Sequence, residues 1–143
     1  KADVNLKERT LTARRPKTRH VRVAYLWERT VKAIEEYQNE RPNNGSESLF
    51  VSGHGSPMSG ETLRQRFMAI RKRAKLPKTV TLEGLRDAAY TVAESVDSHH
   101  AKFIAGHKTG MSDKYVLRQA TNQRVKECCE AIETHFFARK ENQ

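Results

Sequence analysis

Long apolar runs, spaced cysteines and aromatic residues are all scarce in this sequence, and each shortage excludes something. No apolar stretch approaches the ~20 residues a helix needs to cross a bilayer, and the N-terminus is charged where a secretory leader would be apolar. No membrane association is therefore expected, and a cytoplasmic location is. The two cysteines, Cys128 and Cys129, are adjacent. Neighbours fit neither a CxxC redox pair nor a zinc knuckle, and they do not easily close a disulfide, so both are expected to be reduced. Aromatic residues make up 7% of the chain, with one Trp and no ladder on which single-stranded RNA bases would stack. Acids are outnumbered: 17 Asp and Glu stand against 27 Lys and Arg, a net charge of +10. Such an excess attracts polyanions, and nucleic acid is the leading partner. No internal repeat or low-complexity tract interrupts the 143 residues, and that length suits one domain with its own core.

What is present is ordered alternation followed by helical periodicity. Thr10-Leu-Thr-Ala-Arg and His20-Val-Arg-Val-Ala alternate in character, separated by Arg15-Pro-Lys-Thr-Arg19. That pattern predicts a β-hairpin with a basic tip, Arg15, Lys17 and Arg19. From Leu26 to Glu40 the positions Leu26, Trp27, Thr30, Val31, Ile34 and Tyr37 predict an amphipathic helix that stops before Pro42. Ser48-Leu-Phe-Val-Ser is short and apolar and is expected as a third strand covering the hairpin. The two glycines of the loop Gly53-His-Gly are too few for a phosphate cradle.

Ser59 is placed to cap the next helix, with Leu63, Phe67, Ile70 and Ala74 as its expected buried stripe. The opposite side carries Arg64, Arg66, Arg71, Lys72, Arg73 and Lys75, followed by Lys78, a set able to neutralise several phosphates. A solubilising face is the plainer explanation, but few acids interleave with these bases, which favours nucleic acid. Thr81 can cap a further helix with Leu82, Leu85, Ala89, Val92 and Val96 as its apolar positions, Glu83 in its first turn and Arg86 one turn in. Asp97 or Ser98 starts a short helix that ends at Gly106, which leaves His107 just beyond a helix C-terminus. Ser112 caps another short helix with Tyr115 in its first turn. The last helix, Asn122 to Arg139, is expected to bury Val125, Cys128, Cys129, Ile132 and Phe136.

Hairpin lysine, arginine early in a helix, glycine-histidine after a helix, then tyrosine: this order resembles the catalytic domain of the tyrosine recombinases, or phage integrases, over essentially the whole chain. Asp-Val-Asn-Leu leading to Arg-Pro-Lys-Thr-Arg-His-Val looks like the family's second and third strands with their turn lysine. Leu85-Arg86 resembles its box of histidine, two residues, arginine, and Ala105-Gly-His107 its Leu-Gly-His. Asp113-Lys-Tyr115-Val is similar to the nucleophile segment, eight residues past His107 and one fewer than is usual. At the position of the box histidine this chain has Glu83.

The resemblance implies an α+β fold, mostly helical, with a small three-stranded antiparallel sheet. It implies residues 1–143 as the C-terminal part of one integrase catalytic domain, lacking its early helices, its first catalytic arginine and a core-binding domain. It also implies site-specific recombination through a 3′-phosphotyrosyl link. A phosphodiester repels an incoming nucleophile, so cationic donors aimed at its non-bridging oxygens lower the barrier. Tyr115 would attack, Arg86 would clamp two oxygens in one plane, His107 would donate to one of them, and Lys17 would protonate the leaving oxygen. Glu83 would take the place of a proton acceptor, or pair with a nearby arginine. No metal or other cofactor is required. Taken singly, Tyr115 in a core, Arg86 in an ion pair and His107 as a capping group explain each residue as well. A non-catalytic DNA-binding module on the same fold is the alternative function. Homo-oligomers on DNA are expected, with the terminal helix exchanged between neighbours, against a monomer for the isolated fragment, in which cleavage is expected to be lost.

Overall fold

Alternation does produce the hairpin. In the computed structural model, which describes residues 2–15, 17–41 and 45–138, strands β1 (Ala2–Asn5), β2 (Thr10–Arg14) and β3 (Val21–Tyr25) form an antiparallel sheet in the order β1-β2-β3. The register pairs Asp3 with Thr12 and Thr12 with Val23. Pro16 of the hairpin turn lies outside the described residues. The third strand is therefore Ala2–Asn5, not Ser48–Ser52. In the latter stretch Val51 makes only an isolated bridge to Pro57 across a tight turn, in which Ser52 N–H donates to Ser56 O at 2.7 Å. Turn formers at residues 53–57 fold that segment back on itself, so its backbone groups pair locally.

Six helices follow among the described residues: α1 (Glu28–Glu40), α2 (Gly60–Arg73), α3 (Leu82–Val96), α4 (Ser98–Ala105), α5 (Asp113–Arg118) and α6 (Gln123–Phe137). Helix α1 begins two residues later than its apolar spacing suggests. Leu26 N–H is bound to Arg9 O at 2.6 Å, and Trp27 supplies the carbonyl that the N–H groups of Thr30 and Val31 use. Pro42 and Arg139, the expected limits of α1 and α6, lie outside the described residues.

Two compact units divide the chain, Lys1–Val31 with Arg86–Gln143, and Lys32–Leu85. The first holds the sheet and the main core. Val21 and Val23, two apart on β3 and so on one face, pack with Phe103, Val116, Val125 and Cys129. A second cluster, Ala93, Ala101, Cys128 and Ile132, gathers the partly buried Trp27 and Tyr90, and Ile104 touches both clusters. Helix α6 carries most of this packing, and its expected stripe is buried except at Phe136, which is 37% exposed near the helix end. Cys129 explains its own burial: its Sγ accepts from Tyr25 N–H at 3.3 Å and its carbonyl from Trp27 Nε1 at 2.7 Å. Both thiols are free and buried, and burial pushes Cys128 up to about 11 and Cys129 to about 12.

The unit Lys32–Leu85 is held by polar ties. Tyr37 Oη donates to Val51 O at 3.2 Å and accepts from Val51 N–H at 2.9 Å, while Arg41 Nη1 donates to Ser48 O at 2.6 Å. Ser59 caps α2 through Thr62 N–H as its position suggests. The buried stripe expected on α2 does not exist: none of its residues is buried, and Ile70 is 53% exposed. A 3.6-residue period states which side of a helix is apolar, but burial needs a second layer, and this unit supplies only the end of α1, the start of α3 and loops. Likewise Leu82, Leu85 and Val96 on α3 are exposed, and Ala93 is its buried residue.

Candidate functional site

Three local devices position His107 and the helix that carries Tyr115. Asp97 caps α4, its Oδ1 accepting from His99 and His100 N–H at 2.9 and 3.0 Å. These donors, His100 foremost, hold its carboxyl below the usual carboxylate range. Gly106 then ends the helix in the left-handed region, φ 66°, and both its own and the His107 N–H return to Lys102 O. Finally, Asp113 in the first turn of α5 pairs with Arg14 of β2. That pair fixes the start of the helix on which Tyr115 rides. Ser112 stands at the N-cap position of α5 without a side-chain hydrogen bond.

His107 leaves this corner with its ring 4.7 Å from that of Tyr90, tilted 53°. It also lines a cleft of about 270 Å³ with His20, Lys108, Thr109 and Asp113. Tyr115 is 45% exposed and only edge-packed on Phe103, with ring centroids 6.5 Å apart, so it is not a core residue. Its hydroxyl has no hydrogen-bond partner among the described residues. Arg86 reaches Asp87 Oδ1 with Nη2 at 3.1 Å, an exposed pair of the kind usually worth about 0–1 kcal/mol and easily exchanged for another anion. Lys17 stands exposed in the hairpin turn, without an ion-pair partner among the described residues.

Arg15 and Arg22 were not equally legible. Arg15 Nη1 donates to Gly106 O at 3.3 Å, and Arg22 Nε to Ile104 O at 3.1 Å. Arg22 was missed by sequence reading because it sits mid-strand between two core valines, where alternation marks it only as outward-facing. The guanidinium of Arg22 is depressed below its ordinary value, first by burial, then by the charges of Arg15 and Arg86. Two arginines thus converge on the carboxyl end of α4.

Arg19 is exposed at the hairpin with its N–H bound to Arg15 O at 2.8 Å, and the other expected residues lie in Lys32–Leu85 and are placed within that unit. Glu83 lines a cleft of about 500 Å³ with Thr81, Arg64 and Arg71, and makes no ion pair among the described residues. Arg64 is held by Glu61 through two contacts of 2.9 Å. Arg71 braces the following turn by donating to Lys78 O and Val80 O at 2.9 and 3.0 Å. Arg66, Lys72, Arg73, Lys75 and Lys78 are exposed and have no ion pair among the described residues. No group of three or more His, Cys, Asp or Glu able to hold a metal ion occurs among the described residues, and none of their helices is long and apolar enough to cross a membrane. His99 and His100 pack edge-on against Phe103 rather than gathering about an ion with His107.

The phage integrase family model matches residues 1–122, a span that contains Lys17, Arg86, His107 and Tyr115. No curated protein sequence matches. Among solved structures, the crystal structure of XerA recombinase superposes with a TM-score of 0.63 at 24% identity, covering 94% of this chain and 49% of that one. The likeness is one of fold, and the chain spans about half the length of that relative.

Proposed function

The chain belongs to the phage integrase family, and from that premise we propose that it cleaves and rejoins duplex DNA in site-specific recombination, as the C-terminal part of a single catalytic domain spanning residues 1–143. The observation that carries this reading is Tyr115: an exposed phenol whose hydroxyl has no hydrogen-bond partner among the described residues, on a short helix anchored to β2 by the Arg14–Asp113 pair, following a glycine-histidine corner.

In this reading Tyr115 Oη attacks a backbone phosphorus. The P–O5′ bond breaks, and a 3′-phosphotyrosine and a 5′-hydroxyl result. Arg86 exchanges Asp87 for two non-bridging oxygens, His107 donates to one of them, and Lys17 protonates the departing 5′-oxygen. Rejoining runs the same steps backwards, so no energy source or other cofactor is needed. Glu83 stands where a histidine would accept the tyrosine proton; a carboxylate serves there only if its proton affinity rises beside the phosphate. Arg15, Arg19, Lys72, Arg73, Lys75 and Lys78 track the DNA backbone, with Arg64 and Arg71 available only by giving up Glu61 and the Lys78–Val80 turn. The protein acts in the cytoplasm as several copies on two DNA sites.

Covalent capture tests this. Incubating the longest encoded form of the protein with nicked duplex DNA is expected to give a denaturant-stable adduct, lost in Tyr115→Phe and reduced at least ~100-fold in Arg86→Ala. The Glu83 substitution favours one second reading, a DNA-binding module without turnover. Duplex binding with no adduct under any condition would establish that instead.

A further inference from the structure

Gly106 does more than end a helix. A Cβ built on it would lie 2.3 Å from Arg22 Cγ, 2.8 Å from Arg22 Cδ and 3.0 Å from Arg15 Cδ. Both arginine stems therefore cross directly over the glycine, and both guanidinium groups are held there by main-chain carbonyls, Ile104 O for Arg22 and Gly106 O for Arg15. No carboxylate pairs with either one among the described residues. Charges of one sign held side by side and half-buried repel one another, and the usual remedy is a counterion. The protein provides none within this cluster, and Arg86, whose own pair with Asp87 is exposed, adds a third positive charge to the same field. Carbonyl tethers leave further N–H groups on each guanidinium, since each carries five donors in a fixed fork.

We propose that Arg15 and Arg22, folded across Gly106, form a phosphate-binding pair, and that its occupant is a backbone phosphate of duplex DNA. This rests on the recombinase reading for the identity of the occupant. Arg22 thereby becomes a substrate-positioning residue contributed by the sheet, and the absence of a side chain at residue 106 becomes a requirement of the site as well as of the backbone turn.

Two arms test the pair. In the first, inorganic phosphate is titrated into the 15N-labelled wild-type chain and the arginine Nε–Hε signals are followed. Those of Arg15 and Arg22 are expected to shift along one isotherm; separate isotherms, or an Arg22 signal that stays still while Arg15 moves, overturn the pair. In the second, fluorescence anisotropy measures duplex DNA binding against salt for the wild type, Arg22→Gln and Arg22→Lys. Removing one phosphate contact should weaken binding about tenfold and lower the slope of log K against log salt by about one, while lysine keeps the slope. A shared phosphate isotherm with an unchanged DNA slope in Arg22→Gln overturns DNA as the occupant. Failure of the wild type to bind any duplex, with the isotherm intact, overturns the recombinase reading and leaves a site for free phosphate. The first arm needs no variant, so a folding defect in Arg22→Gln does not blunt it.

Discussion

Helices α6 and α2 are nearly the same length, 15 and 14 residues, and both carry an apolar stripe. One is the keel of its unit and the other buries nothing. Val125, Cys128, Cys129 and Ile132 of α6 meet a sheet and two helices, whereas α2 meets only short segments of its own unit, and its stripe stays open. Their charges differ in the same sense. Around α6 the bases Arg124 and Lys126 are answered by Glu127 and Glu130, while Arg66, Lys72 and Arg73 on α2 have no acid partner among the described residues. A helix devoted to packing balances its surface, and α2, which packs on nothing by burial, leaves these three cations without an acid.

The sharpest way to break this comparison is to truncate the same residue type in both helices. Ile132→Ala should cost about 2–5 kcal/mol in urea unfolding, and Ile70→Ala under about 0.5 kcal/mol. Equal losses would mean that α2 is packed after all. Gly106→Ala should cost about 2–4 kcal/mol, combining a left-handed backbone with a side chain driven into the Arg22 stem, and calorimetry would register it.

Asp97→Ala should remove about 1 kcal/mol as α4 loses its cap. Because hydrogen bonds depress this carboxyl in the folded state, its contribution is fully present above the unfolded-state carboxylate pKa and is lost as pH falls through the folded value. The gap between wild type and Asp97→Ala should thus close in acid-unfolding curves. Arg14→Ala, which removes an exposed pair, should cost about 0–1 kcal/mol of stability, and its larger effect should be on adduct formation, since it frees the helix of Tyr115. The least perturbing measurement concerns thiols. At pH 8 Cys128 and Cys129 should resist a thiol reagent until the chain unfolds, because burial keeps both protonated.

Alternation and period were enough to write most of the elements in advance, since both are local consequences of side-chain direction. The hairpin at Thr10–Arg14 and Val21–Tyr25, the caps at Ser59 and Asp97, and the glycine stop at Gly106 all rest on residues within a few positions of where they act. Arg86, His107 and Tyr115 stand out through a family resemblance, carried by their order and intervals along the chain.

What the sequence by itself determined, then, is whatever depends on neighbours: where strands and helices begin and end, which side of each is apolar, and a strongly positive charge. Only the tertiary structure decided which apolar sides are covered, that β1 and not Ser48–Ser52 completes the sheet, and that Tyr115 is exposed while Cys129 is sealed. It also decided that Arg15 and Arg22 cross over Gly106, 91 and 84 positions away along the chain. Burial and electrostatic coupling depend on distance through space, and periodicity along a chain carries no record of it.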